Sequence, residues 1–278
     1  MRCTRCDRPI CPDDMRAASV GFQCPDCVKE GARSVRGPVA AYGGAAVGQP
    51  RVTQVLLGLN VLLFVLTTIG GSGFLFGGGN SGLFEQLALA PTVHGAVRDG
   101  MVVAADGVAQ GQYYRLLTSM FLHFGIIHIA LNMYCLYVIG PTLERTLGHL
   151  RFAVLYLVSG LGGAAASYAL GSPNEQAAGA SGAVFGLFAA LFVVQRRRGG
   201  DVSGIVVTIG LNLALGLTSS SIDVRAHVGG LLTGAAVAGA MVYAPAGRRR
   251  TQVQVLGSLL VALAVAAVVA VRTAALTG

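Results

Sequence analysis

Residues 179–195, GASGAVFGLFAALFVVQ, run for five turns of helix without a charged side chain, near the roughly 17–25 residues that a helix needs to cross a hydrocarbon layer. Working outward, comparable apolar runs occupy residues 52–70, 119–140, 150–170, 202–219, 226–244 and 253–271. The composition agrees: 54% of the chain is hydrophobic and 12% charged, with a mean hydropathy of +0.66, whereas a water-soluble domain carries about 25% charged residues. Forty glycines and no tryptophan suit helices that approach one another through small side chains. The chain is therefore expected to be an all-α polytopic membrane protein with seven spans.

The basic residues set its orientation. Lys and Arg gather in residues 1–51, 145–151, 196–198 and 248–250, while only Arg98, Arg115, Arg225 and Arg272 fall on the alternate side of the spans. Basic loops are retained in the cytoplasm, so the N-terminus is expected there and the integral location is the cell membrane. The net charge of +8 is then topological and calls for no nucleic acid partner. No apolar stretch follows the first basic residues before position 52, so no cleaved signal peptide is expected.

Polar groups inside spans are costly, and each asks for a reason. His128, Asn132, Ser181 and His227 lie near the outer ends of their helices, at similar depth. His128 and Asn132 are one helical turn apart and share a face. Ser181 sits between Gly179 and Gly182, which remove bulk around its hydroxyl. Serine needs a base to take its proton, and His227 in AHVGGLLTG (226–234) can serve if the fourth and sixth spans pack together; Gly230 and Gly234 have the spacing for that. The Asn132 amide, the His128 imidazole and the Ser181 N–H offer donors to a developing oxyanion. No carboxylate within a span is placed to orient His227, so a dyad is expected, and Asp223 is assigned to the surface. Taken singly, Ser181 reads as a packing residue and His128 or Asn132 as hydrogen-bonding groups between helices; their coincidence at one depth favours catalysis. Spacing alone leaves a transporter or proton relay open, although such proteins distribute ionisable groups through the membrane depth.

The ordered set Tyr114-Arg115, HFGIIHIALN (123–132), GASG (179–182) and AHVGG (226–230) resembles the rhomboid intramembrane serine proteases over about residues 52–244. The resemblance implies a six-helix core with one added C-terminal helix, Ser181 as nucleophile, His227 as general base, His128 and Asn132 as oxyanion donors, and Gly179 and Gly182 as the flanking residues at the substrate. It implies an aromatic ring, Phe185, beneath the histidine, and a gate near residues 202–219. Tyr114-Arg115 corresponds to a Trp-Arg pair in the first loop, residues 71–118, and Glu144-Arg145 with Leu147-Gly148 to a helix-capping segment. Single-span membrane proteins cut near the outer face are the implied substrates, with no cofactor for catalysis. The same scaffold also admits a non-proteolytic protein that binds membrane helices.

Before the spans, Cys3-x-x-Cys6 and Cys24-x-x-Cys27 have the spacing of a tetrahedral structural zinc site, in a compartment where disulfides are disfavoured. CTRCDRPICPDD with FQCPDC resembles the cross-braced zinc module at the N-terminus of some rhomboids; Asp14 stands where that pattern has a cysteine, so its second site is weakened. Cys11 is left over, and the module's partner is not specified by the residues. The expected domains are a cytoplasmic zinc-binding module at 1–36, a flexible linker at 37–50, the six-helix core at 51–244, and a loop with the seventh helix at 245–278.

Overall fold

The computed structural model describes residues 1–34, 39–69, 81–92, 97–98, 101–102, 107–219 and 222–278. Its contacts divide into two compact units, Met1–Val39 and Ala40–Gly278. The first unit holds a two-stranded antiparallel pair, β1 (Arg16–Ala17) and β2 (Phe22–Gln23), and the helix α1 (Pro25–Ser34). Its interior is Cys3, Ile10, Cys24 and Cys27, too few apolar groups for a self-sufficient core.

The second unit is helical. Its long elements are α2 (Arg51–Thr68), α5 (Ile126–Leu147), α6 (His149–Leu170), α7 (Ser181–Arg197), α8 (Ser203–Thr218), α9 (Val224–Val242) and α10 (Arg250–Thr277), one for each apolar run. Short elements α3 (Gly82–Leu87), β3 (Val97–Arg98), β4 (Met101–Val102) and α4 (Tyr114–Thr118) fall between α2 and α5. Among the described residues, α2, α5, α6 and α10 are long and apolar enough to cross a membrane, and α8 is a shorter apolar helix. Leu131, Tyr134, Tyr137, Leu211, Leu215, Leu256 and Leu260 are exposed, which suits helices whose outer faces meet lipid. The protein is an all-α polytopic membrane protein with a C-terminal helix added to its core.

Small residues decide how close the inner helices come. A Cβ on Gly230 of α9 would lie 1.9 Å from the Gly182 carbonyl oxygen of α7, and one on Gly234 would lie 2.3 Å from Gly186 Cα. Two glycines one turn apart on each helix thus put backbone against backbone. Helix α6 joins them through Gly163, whose Cβ would meet the Ala226 oxygen at 2.7 Å and Gly182 Cα at 3.0 Å. Large side chains fill the layer beneath: Phe152, Leu155, Tyr156, Leu187, Val237 and Met241. More than half of the apolar window of α6 is buried, against 17% in α10, which lies at the periphery.

Two boundaries differ from the sequence expectation. The apolar run at 119–140 is helical only from Ile126, since Ser119–Phe121 forms a 3-10 turn and Gly125 is extended. Helix α5 then continues past Pro141 to Leu147. Proline there forfeits one backbone bond, which the helix tolerates within the bundle. The linker expected at 37–50 is ordered from Ala40: Tyr42 is buried, its N–H donates to Thr146 O at 3.4 Å, and Ala40 N–H donates to Gly44 O at 3.0 Å. An aromatic ring among glycines had enough apolar area to dock, so the segment joins the helical unit. Of the apolar residues in the loop at 71–118, Phe74, Leu75 and Phe76 lie outside the described residues, Phe84 is buried and Leu83 exposed.

Candidate active site

Ser181 is the first residue of α7, where backbone N–H groups have no acceptor within the helix. The chain reaches it along a pinned segment. Leu89 and Ala177 exchange backbone hydrogen bonds of 2.9 Å each, Thr92 N–H donates to Pro173 O, and Gly179 N–H donates to Ser119 O at 2.9 Å. Gly179 has φ +149, and a Cβ on it would come within 2.9 to 3.0 Å of the His128 ring and 3.6 Å of Ser181 Oγ. The imidazole and the hydroxyl therefore border the same small space, which only glycine leaves open.

His227 lies in the first turn of α9 and is 8% exposed. The Phe185 ring stacks on it with centroids 4.1 Å apart and planes at 12°. Ser181 and Phe185 are four residues apart on α7 and so share a face; the ring contact aims that face at His227, with Ser181 one turn nearer the N-terminus of α7. Among the described residues, His227 Nδ1 is buried without a hydrogen-bond partner, from a carboxylate or any other group. Asp223 was assigned to the surface, but it is half-buried and caps α9, accepting from Arg225 N–H at 3.1 Å and Ala226 N–H at 3.2 Å and pairing with Ser167 Oγ and the Arg225 side chain. The first turn of any helix leaves donors unpaired, and a buried one needs such a side chain.

Asn132 is buried and donates through Nδ2 to His128 O at 3.0 Å. A primary amide has two N–H donors, so one remains for another acceptor. His128 stands between two aromatic neighbours, Phe124 (6.2 Å, planes at 11°) and His123 (5.1 Å, edge-on). His123 was not singled out from the sequence. It is 3% exposed, and neither ring nitrogen has a partner among the described residues. The signal was present, since a histidine in an apolar run at the depth of His128 meets the criterion applied to the others.

The loop before α5 is tied by Arg115, 4% exposed, which donates to Glu85 O at 2.6 Å and Ala88 O at 2.8 Å. Tyr114 beside it is half-exposed. At the opposite end of the bundle, Glu144 is fully buried and caps α2, accepting from Val52 N–H at 2.9 Å, Thr53 N–H at 2.8 Å and Thr53 Oγ1 at 2.6 Å, with His149 beside it. Glu144 falls inside α5, near its C-terminus and away from His128 in the first turn.

In the N-terminal unit the Sγ atoms of Cys3, Cys6, Cys24 and Cys27 all lie within 4.8 Å of one another. Cys6 and Cys24 Sγ are 3.8 Å apart, the edge of a ZnS₄ tetrahedron with bonds of about 2.3 Å. The Cys24 N–H, donating to Cys3 Sγ at 3.3 Å, draws the Cys3 thiol down to about 6, whereas the side-chain bond to Cys6, followed by burial, pushes Cys27 up to about 12. These four thiols can hold a metal ion; Cys11 and Asp14 stand outside the cluster.

Taken together, the fold and site define a class: a polytopic helical membrane protein with serine, histidine and amide side chains collected at one mouth of a glycine-packed bundle. The Rhomboid domain model matches residues 110–244. The chain is 34% identical over 257 residues to "Rhomboid protease GluP" of Bacillus subtilis (strain 168), covering 84% of this chain and 47% of that protein. It is 36% identical to "Putative rhomboid protease YdcA" of the same organism, over 46% of this chain and 67% of that one. It is 39% identical to "RHOMBOID-like protein 2" of Arabidopsis thaliana, over 46% of this chain and 42% of that one. The chain spans less than half the length of two of these relatives, GluP and RHOMBOID-like protein 2. This chain belongs to the rhomboid family.

Proposed function

We propose that this chain is an intramembrane serine endopeptidase that cuts membrane-spanning substrates near the outer face, with Ser181 as nucleophile and His227 as general base. The observation that supports this reading is the stacked pair Phe185–His227, with Ser181 one helical turn from Phe185 on the same face of α7. His227 takes the Ser181 proton as Oγ attacks the scissile carbonyl, then returns it to the leaving amine; a water repeats the sequence on the acyl-enzyme. The tetrahedral oxyanion lies among the Ser181 N–H, the free N–H of Asn132 and His128. A buried Nδ1 without a carboxylate supports a dyad. Gly179 gives an unwound substrate strand room beside the hydroxyl, while Gly182 lets α6 and α9 pack closely behind it. The clustering of Arg and Lys at the opposite end supports a cytoplasmic N-terminus, and the sulfur geometry supports zinc in the N-terminal unit as a folding element.

The test is cleavage of a single-span reporter by purified protein in liposomes. Wild type is expected to cut it, while Ser181→Ala and His227→Ala, folded to the same degree, leave it intact. Cutting by all three at one rate would remove the dyad; a wild type that retains the reporter without cutting would favour the membrane-helix binding protein.

A further inference from the structure

At the end of the bundle away from Ser181, three guanidinium groups from three helices converge. Arg151 belongs to the first turn of α6, Arg198 follows the last turn of α7, and Arg250 opens α10. Arg198 and Arg250 place Cζ 5.9 and 5.7 Å from the ring of buried Tyr42. Arg151 and Arg250 both border Gly43, where a Cβ would lie 3.2 Å from Arg151 Nη2 and 3.9 Å from Arg250 Cδ. Gly43 and Gly44 have φ of +96 and +85, so the loop curls under the Arg151 head group where side chains would displace it.

The arrangement is held from beneath. Gln254, 2% exposed, accepts from Arg151 Nε at 2.7 Å and donates to Tyr42 O and Met241 O at 2.8 Å each. Arg250 Nη2 donates to Ala41 O at 3.3 Å, and its Nε is buried with no partner among the described residues. Among the described residues no carboxylate pairs with Arg151, Arg198 or Arg250. Retention of basic loops explains exposed arginines such as Arg196 and Arg249. It does not explain like charges gathered around Tyr42 and Gly43, one of them held by a buried glutamine, an arrangement that repels itself unless an anion joins it.

We infer that this cluster binds the phosphate of an anionic phospholipid headgroup. Guanidinium forks match phosphate oxygens in pairs. A lipid, in preference to free phosphate, fits the position: Val253, Val255 and Leu256 in the adjoining turns of α10 are exposed and give acyl chains an apolar surface beside the charges.

The experiment extracts the full chain from phosphatidylcholine vesicles containing phosphatidylglycerol and counts bound lipid by native mass spectrometry. Wild type is expected to retain one phosphatidylglycerol in preference to phosphatidylcholine. The R151Q/R250Q pair should retain it about tenfold less, and R198Q, which breaks no hydrogen bond, severalfold less, while R196Q/R248Q, removing equal charge from the same end, leaves it unchanged. Equal loss in both double variants would reduce the effect to diffuse charge and overturn the site. Displacement by millimolar inorganic phosphate, or equal retention of phosphatidylcholine, would overturn the lipid assignment.

Discussion

At the scale of single residues, the proposed chemistry depends on side chains held by neighbours that do not react. Phe185 is the clearest case, because its ring fixes the plane of His227 while its backbone carries Ser181 one turn away. Replacing it with leucine keeps the apolar volume and removes the stacking, worth about 1 kcal/mol; kcat for reporter cleavage is expected to fall by about fivefold to tenfold with KM nearly unchanged. Gly179→Ala combines a left-handed backbone with a Cβ 2.9 Å from the His128 ring and should abolish cleavage while the helical spectrum persists. Ser181, His227, His128 and Asn132 stand out in the sequence because polar groups in apolar runs are few. His123 meets the same criterion, and its burial follows from the non-helical stretch at 119–125 that precedes α5. Asp223 was misplaced because linear sequence does not reveal that the end of α6 brings Ser167 against it.

At the scale of elements, the seven helices follow the seven apolar runs because burial in lipid demands satisfied backbone groups over that length. The start of α5 does not follow, since hydropathy is blind to whether an apolar stretch is helical, and Ser119–Phe121 with Gly125 spends seven residues in turn and extended backbone. Helix contacts are set by glycine. Gly230→Ala would drive a methyl to within 1.9 Å of the Gly182 oxygen, which a backbone cannot yield without separating α7 from α9. That variant is expected to lose several kcal/mol of stability and all cleavage, whereas Gly239→Ala, with open space around its Cβ, should preserve both; thermal unfolding in detergent distinguishes them. The cap that Glu144 gives α2 predicts that Glu144→Gln destabilises the bundle by about 1.5–3 kcal/mol without changing the chemistry, measured as an earlier unfolding midpoint with normal kcat at low temperature.

At the scale of the molecule, two units of different physics share one chain. The helical unit is held by glycine contacts and a lipid-facing surface, and the N-terminal unit gathers four cysteine sulfurs around a core too small to stand alone. Both were legible, the first from hydropathy and the second from paired Cys-x-x-Cys spacing; the boundary between them was not, because Tyr42 docks on the bundle from within a glycine-rich stretch. With zinc in the sulfur cluster, purified protein should contain one zinc per chain, lost in Cys24→Ser. Zinc binding displaces thiol protons, so retention should weaken as pH falls, and a chelator should expose residues before Val39 to protease while reporter cleavage persists. The central claim is that Ser181 is a nucleophile activated by His227. Its most direct measurement is mass-spectrometric mapping of the adduct left by a fluorophosphonate on the folded protein in liposomes: a single adduct on Ser181, formed at least a hundredfold more slowly in His227→Ala, is the predicted result, and an unmodified Ser181, or labelling indifferent to His227, would contradict it.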